Sequence, residues 1–96
     1  MKIRFKAAAA RDVERAFAWY EEQRAGLGAQ FREELDKTLA GVAANPESNP
    51  VVRTRIRRAV LRRFPYLVFY VVDQEIVVLA CLHASRDPNR WPLKTG

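Results

Sequence analysis

The sequence predicts an α+β domain, in which a helical hairpin packs on a small, mainly antiparallel sheet in the order β-α-α-β-β-β. Three observations predict it. In the first half, apolar residues recur at helical spacing: Val13, Ala16, Phe17 and Tyr20, then Leu27, Phe31, Leu35, Leu39 and Val42. After Asn45-Pro46 the pattern changes to extended runs rich in β-branched and aromatic residues. The length of 96 residues suits one domain with one modest core, so residues 1–96 are expected to form a single domain.

Each element follows from its residues. Lys2 to Lys6 alternates, with Lys2, Arg4 and Lys6 on one side and Ile3 and Phe5 on the other, as a half-buried strand does. A helix is expected from about Ala8 to Ala25, with Tyr20 in the core and Trp19 beside it, also core or at a groove. It stops at GLG, residues 26–28, because glycine accepts the left-handed conformation at a helix end. The second helix ends near Asn45-Pro46, where proline disfavours helix at the residue before it. The short link makes an αα-hairpin. PESNPVV, residues 46–52, is loop by composition. Arg53 to Phe64 is a basic strand candidate, with a bulge or an irregular start near Arg57–Arg58 because neither of its faces is cleanly basic. In Tyr66–Val72 both faces are apolar, which places that strand centrally, and Pro65 fits at its entrance. DQE is a turn, and Ile76 to His83 is a second strand apolar on both faces. SRDPNRWPLKTG forms an irregular tail in which Trp91 either pins the tail down or meets a partner.

Composition narrows the function. A net charge of +6 and a pI near 10.1 point to an acidic partner, whether protein or nucleic acid, against the bland alternative of a solvated basic surface. The lone cysteine, Cys81, forms no intramolecular disulfide and sits in an apolar run as a buried thiol. The four alanines after MKIRFK are too short and too weakly apolar for a signal peptide, and Arg11 and Asp12 follow at once. No run approaches the roughly 20 apolar residues of a membrane span. The expected setting is the reducing cytoplasm.

Residues 53–63 hold six arginines in eleven positions. Their planar forks suit carboxylate and phosphate alike. One reading is an exposed strand protected from edge pairing; the other is a contact surface for an acidic partner or a nucleic-acid backbone. His83, the single histidine, has no further ligands at metal spacing, so no metal and no cofactor are expected. Metal-free RNA cleavage needs a base, an acid and cations on the phosphate. His83 with Arg57, Arg63 or Arg86 meets that need in kind, and a structural role tying the tail to the sheet meets the sequence equally well.

Taken together, WYEEQRAGLGAQF (19–31) and IRRAVLRRFPYLVFYVVDQEIVVLACLHASRDPNRW (56–91) resemble the RelE/ParE superfamily of toxins from type II toxin-antitoxin systems. The resemblance spans essentially the whole chain, and its pieces stand in the family's order, closing on H-x-x-R-D-P-x-x-W. It implies a helical hairpin on an antiparallel sheet. It also implies a small acidic antitoxin that wraps the toxin in a hetero-oligomer, and operator DNA bound only through that antitoxin. WYE…GLG…F and the FPY-led hairpin look more like the ParE branch, often associated with plasmid stabilisation, which poisons DNA gyrase through protein contacts. The RelE branch instead cleaves mRNA on the ribosome and carries a catalytic tyrosine or histidine near its C-terminus. Here no tyrosine follows His83. The expectation is therefore a ParE-like gyrase inhibitor with Arg58, Arg62, Arg63, Trp19 and Trp91 toward partners. The alternatives are a ribosome-dependent endonuclease using His83, Arg57 and Arg86, and a weakly toxic antitoxin-binding corepressor.

Overall fold

The structure is a computed structural model and describes residues 1–86. Its elements are β1 (Ile3–Phe5), α1 (Ala7–Gln23), α2 (Leu27–Ala44), β2 (Val51–Arg53), β3 (Ile56–Val60), β4 (Tyr66–Val72) and β5 (Ile76–His83). The five strands form one sheet in the order β1-β5-β4-β3-β2. β1 runs parallel to β5, and the other neighbours are antiparallel. The expected α+β fold with a helical hairpin on a mainly antiparallel sheet is what forms, and β4 is its central strand.

The two helices cover one face of the sheet. Ala9, Val13, Ala16 and Tyr20 of α1 and Phe31, Leu35, Leu39 and Val42 of α2 pack on Ala59, Val68, Tyr70, Ile76, Val78 and Cys81. The opposite face carries Ile56, Leu67, Phe69, Val71, Val77, Leu79, Ala80 and Leu82, all buried. This is why both parities of β4 and β5 are apolar. Between Phe69 and Tyr70 of β4 the register to β5 shifts by one, and Leu79 and Ala80 fall on the same face there.

The hairpin turn shows why the GLG motif has its form. Gly26 takes φ +89°, a left-handed conformation that suits glycine. The Glu21 carboxylate, from the last turn of α1, accepts hydrogen bonds from the N–H groups of Gly26 (3.1 Å), Gly28 (2.8 Å) and Ala29 (3.3 Å). It thus caps donors at the start of α2 that the helix itself leaves unpaired. These bonds hold the Glu21 carboxyl below its ordinary range, the bond from Gly26 most of all. Gly28 is packed so closely that a Cβ would stand 2.7 Å from Phe17 O and 2.7 Å from Glu21 Cγ.

The arginine segment departs from expectation. It is two strands, β2 and β3, and the order is β-α-α-β-β-β-β. The chain reverses at Thr54-Arg55, where Thr54 adopts φ +52°. No glycine, proline or asparagine marks this turn, so the run looks continuous. Val51 and Val52 belong to strand, not loop, and the irregularity falls between Val51 and Arg53 rather than at Arg57–Arg58. β3 ends at Val60, and Arg62 and Arg63 stand on a loop, Arg63 with φ +70°. Among the described residues no helix is long and apolar enough to cross a membrane.

Candidate functional site

Aromatic packing builds the site. Tyr20 lies 5.5 Å from Phe31, 5.0 Å from Phe64 and 6.0 Å from Tyr66, centroid to centroid, while Phe31 and Tyr66 are 5.2 Å apart. These are offset or edge-on contacts of the favourable kind. The FPY triplet therefore fastens the entrance of β4 onto both helices. Phe64 is buried and Tyr66 half-buried, while Pro65 stays at the surface.

Above this cluster opens a groove of about 560 Å³ between α1 and the end of β5. Asp12, Arg15, Ala16, Trp19 and Tyr20 line it from α1; Pro65, Tyr66, Cys81, Leu82, His83 and Arg86 line it from the sheet side. Trp19 is not core: it is 54% exposed and stands edge-on to Tyr20 at 5.1 Å. It lies one residue off the buried stripe Val13–Ala16–Tyr20, enough to turn a large ring to the groove. Asp12 accepts a hydrogen bond from the Cys81 N–H at 3.0 Å. Burial pushes the Cys81 thiol up to about 12, with the Asp12 charge adding to it, so this sulfur is no nucleophile. Burial likewise raises the Tyr66 and Tyr20 hydroxyls, and Tyr66 is raised further by Tyr20.

His83 lies exposed at the end of β5, edge-on to Tyr66 at 5.3 Å. The Ser85 N–H donates to its Nδ1 at 3.0 Å, and Ser85 Oγ lies 2.7 Å from the same atom. A backbone N–H can only donate, so Nδ1 accepts, and the neutral ring carries its proton on Nε2. In that tautomer the lone pair on Nδ1 is engaged within the turn and Nε2 carries the N–H. His83 is thus built into the turn that follows β5, which Arg86 N–H closes onto His83 C=O at 3.0 Å.

The arginines are dispersed. Arg57 spends its guanidinium on the carbonyls of Glu47 (3.0 Å) and Asn49 (2.6 Å), anchoring the loop that also receives the Tyr70 hydroxyl on Pro46 C=O at 2.7 Å. Arg57 pairs with Tyr70 and His83 pairs with Tyr66. Four residues along β4 and two strand spacings across put their Cα atoms about 16 Å apart. His83 and Arg86 meet at the groove, and Arg57 does not join them. Arg58 shares the sheet face of Ile56, away from the helices, and its Nε is buried with no hydrogen-bond partner among the described residues. Arg62 and Arg63 line a second groove, of about 610 Å³, between α2 and β3. There Glu34, buried on the helix stripe, faces Arg63 at 3.6 Å and Lys37 at 3.7 Å. Trp91 lies outside the described residues.

Neither Asp12 nor Glu34 stands out as a site residue in the sequence. Glu34 had a signal, since it falls three residues after Phe31 on the buried side of α2. Asp12 had none, because only the fold brings it to Cys81.

Such a groove, with a large exposed ring, charged rim and aromatic floor, suits a protein segment. Comparisons with known proteins bear on the family and the fold. The family model described as ParE toxin of type II toxin-antitoxin system, parDE, matches residues 3–88. A solved structure titled as the chromosomal ParDE toxin-antitoxin system from P. aeruginosa is 18% identical with a TM-score of 0.75, over 86% of this chain and 95% of that one. The isolated E. coli RelE toxin is 22% identical with a TM-score of 0.66, over 92% of this chain and 88% of that one. At these identities the likeness to the two structures is one of fold. No curated protein matches the chain.

Proposed function

The chain belongs to the ParE toxin family of type II toxin-antitoxin systems, and from that premise we propose that it inhibits DNA gyrase through protein contacts and is neutralised by a cognate antitoxin. The observation that carries this reading is the dispersal of the residues a nuclease would need. Arg57 is committed to two carbonyls, and its Cα lies about 16 Å from that of His83. His83 Nδ1 accepts from the Ser85 N–H, which occupies the neutral ring's lone pair and leaves it fit for the acid's part of the chemistry but not the base's. Inhibition by contact needs no such centre. It needs an exposed, shaped surface, and Trp19 with Arg15 and Arg86 supplies one.

The antitoxin follows from the family and from charge. A chain of net charge +6 meets an acidic segment faster than a neutral one, and the Arg58, Arg62 and Arg63 guanidinium groups offer it charge-assisted hydrogen bonds. The association rate should fall as salt rises.

The test is a supercoiling assay with purified chain, purified gyrase and relaxed plasmid. Inhibition that is relieved by the antitoxin supports the proposal. Unimpaired supercoiling, together with mRNA cleavage in a translating extract that His83→Ala abolishes, replaces it with the ribosomal nuclease.

A further inference from the structure

The net charge of the chain is concentrated in one segment. Residues 48–72 hold six arginines and no acidic residue. The eleven lysines and arginines found elsewhere are matched by the eleven acidic residues of the chain, so this segment accounts for the whole excess of +6. It comprises β2, β3 and β4 with their turns. Two of its arginines are taken up by the fold: Arg57 by the carbonyls of Glu47 and Asn49, and Arg58 with its Nε buried on the sheet face away from the helices. Arg63 faces Glu34. Arg53, Arg55 and Arg62 remain. All three are exposed, and none has an ion pair among the described residues.

The fold fixes where they stand. β2 is the outer strand at one edge of the sheet, three places from β5 and so away from the Trp19 groove. Arg53 ends β2, and Arg55 lies in the reversal to β3. Thr54 between them holds φ +52°, a strained conformation for a β-branched residue. Arg62 and Arg63 stand beyond the other end of β3, and Arg63 holds φ +70°. Among the described residues these are the two non-glycine positions at positive φ, and they mark the two arginine-bearing ends of one strand. Strain of this kind persists only where the surroundings impose it, and it clusters at contact sites. β3 is five residues long. The two groups of cations therefore stand about 20 Å apart on a rigid strand.

Charge on an edge strand guards against pairing whatever its sign. The exclusion of acids from residues 48–72 goes further and points to an anion. A duplex suits the geometry better than an acidic peptide. B-DNA stays straight over far more than about 20 Å and carries one charge per about 1.7 Å of axis, so phosphates meet both groups without rearrangement. A disordered acidic peptide has first to be ordered along the strand.

We propose that the β2–β3 edge is a second contact surface, for the phosphate backbone of duplex DNA, with Arg53 and Arg55 at one end of the contact and Arg62 at the other. Binding is by charge and independent of base sequence, because guanidinium groups on phosphates fix position without reading bases. On the gyrase reading, the chain then holds the DNA on which gyrase works. The surface itself is a property of this edge and stands apart from that reading.

The test is fluorescence anisotropy of a labelled duplex of about 20 base pairs, titrated with the purified full chain between about 50 and 200 mM salt. Three phosphate contacts predict a slope of log K against log salt of about −2.7. Arg53→Ala with Arg55→Ala should flatten the slope by about 1.8 and weaken binding at least about tenfold at 100 mM salt. Arg53→Lys with Arg55→Lys keeps both charges and should retain the slope. Arg11→Ala with Arg24→Ala removes the same charge from exposed positions at α1 and should leave the slope in place. Thermal unfolding checks that each variant is folded, as expected for exposed side chains. No binding to the duplex at the lowest salt overturns the proposal. Equal losses from the two alanine pairs overturn it too, since the overall charge of the chain is then the cause. Tighter binding to single-stranded RNA of the same length, or to polyglutamate, also overturns it and assigns the edge to RNA or to an acidic protein. Each of these results leaves the supercoiling assay untouched, so this proposal and the gyrase reading fail separately.

Discussion

Replacing Gly28 by alanine should destabilise the fold, and replacing Gly41 should do the opposite. Both glycines lie in α2, so helix propensity alone gives the two changes the same sign. Their surroundings differ. At Gly28 the new methyl would stand 2.7 Å from Phe17 O, a backbone atom of α1, and 2.7 Å from Glu21 Cγ. It would also meet the carboxylate that caps α2. Backbone cannot yield as a side-chain end can, so the hairpin has to open. Overpacking of this sort costs about 1–3 kcal/mol, and alanine recovers about 0.5–1 kcal/mol through helix propensity and the less flexible unfolded chain. The net loss is at most about 2.5 kcal/mol and centres on about 1.3 kcal/mol, a fall in Tm of about 5–10 °C for a domain of this size. At Gly41 nothing lies within 4 Å of the new methyl. Gly41→Ala should therefore gain about 0.5–1 kcal/mol and raise Tm by a few degrees. Thermal unfolding followed by circular dichroism measures both. A Gly28→Ala protein that melts at or above the wild type would refute the close approach of the two helices.

Three further predictions follow from single contacts. The Glu21 carboxyl is lowered from its ordinary 4.5 in the folded state, so its stabilisation is present above that value and is lost as pH falls through the lower folded value. The stability gap between wild type and Glu21→Gln should thus be full at neutral pH and close in acid; a gap that does not change with pH counts against the cap. Tyr70→Phe strands Pro46 C=O and the Asn49 amide, and should cost about 1–2 kcal/mol, read as a lower urea midpoint at unchanged slope; an unmoved midpoint denies the anchor. Cys81, buried and with its thiol pushed up to about 12, should resist iodoacetamide at pH 8 in the folded chain and react fully in guanidinium, whereas fast labelling of the native protein would place it at the surface.

Where periodicity was clean, the sequence was legible. Tyr66–Val72 and Ile76–His83 have the expected bounds, because a turn of charged and polar residues separates two wholly apolar runs. The helices fall within two residues of expectation, and Phe31, Leu35, Leu39 and Val42 are the buried stripe. The arginine segment failed for a physical reason. Its reversal is made by Thr54 at positive φ, a conformation that a β-branched residue rarely marks, and arginines on both sides hide the change of partner. The candidate site was half legible. Trp19, His83 and Arg86 do share a groove, while Arg57, Arg58 and the pair Arg62 and Arg63 went to three different places. Spacing along one supposed strand does not reveal a chain reversal or a loop, and those decide where a long side chain ends up. The capping by Glu21 and the tautomer of His83 depend on backbone donors brought in by turns, which residue types do not encode.

The central proposal is that this toxin acts on DNA topology by contact rather than by cleaving RNA. Pulse labelling after induced expression in a bacterial host tests it most directly, with thymidine and methionine incorporation followed in parallel. The account predicts that DNA synthesis stops first, and that it stops equally in a His83→Ala strain. Methionine incorporation that falls first, and recovers in the His83→Ala strain, would contradict it.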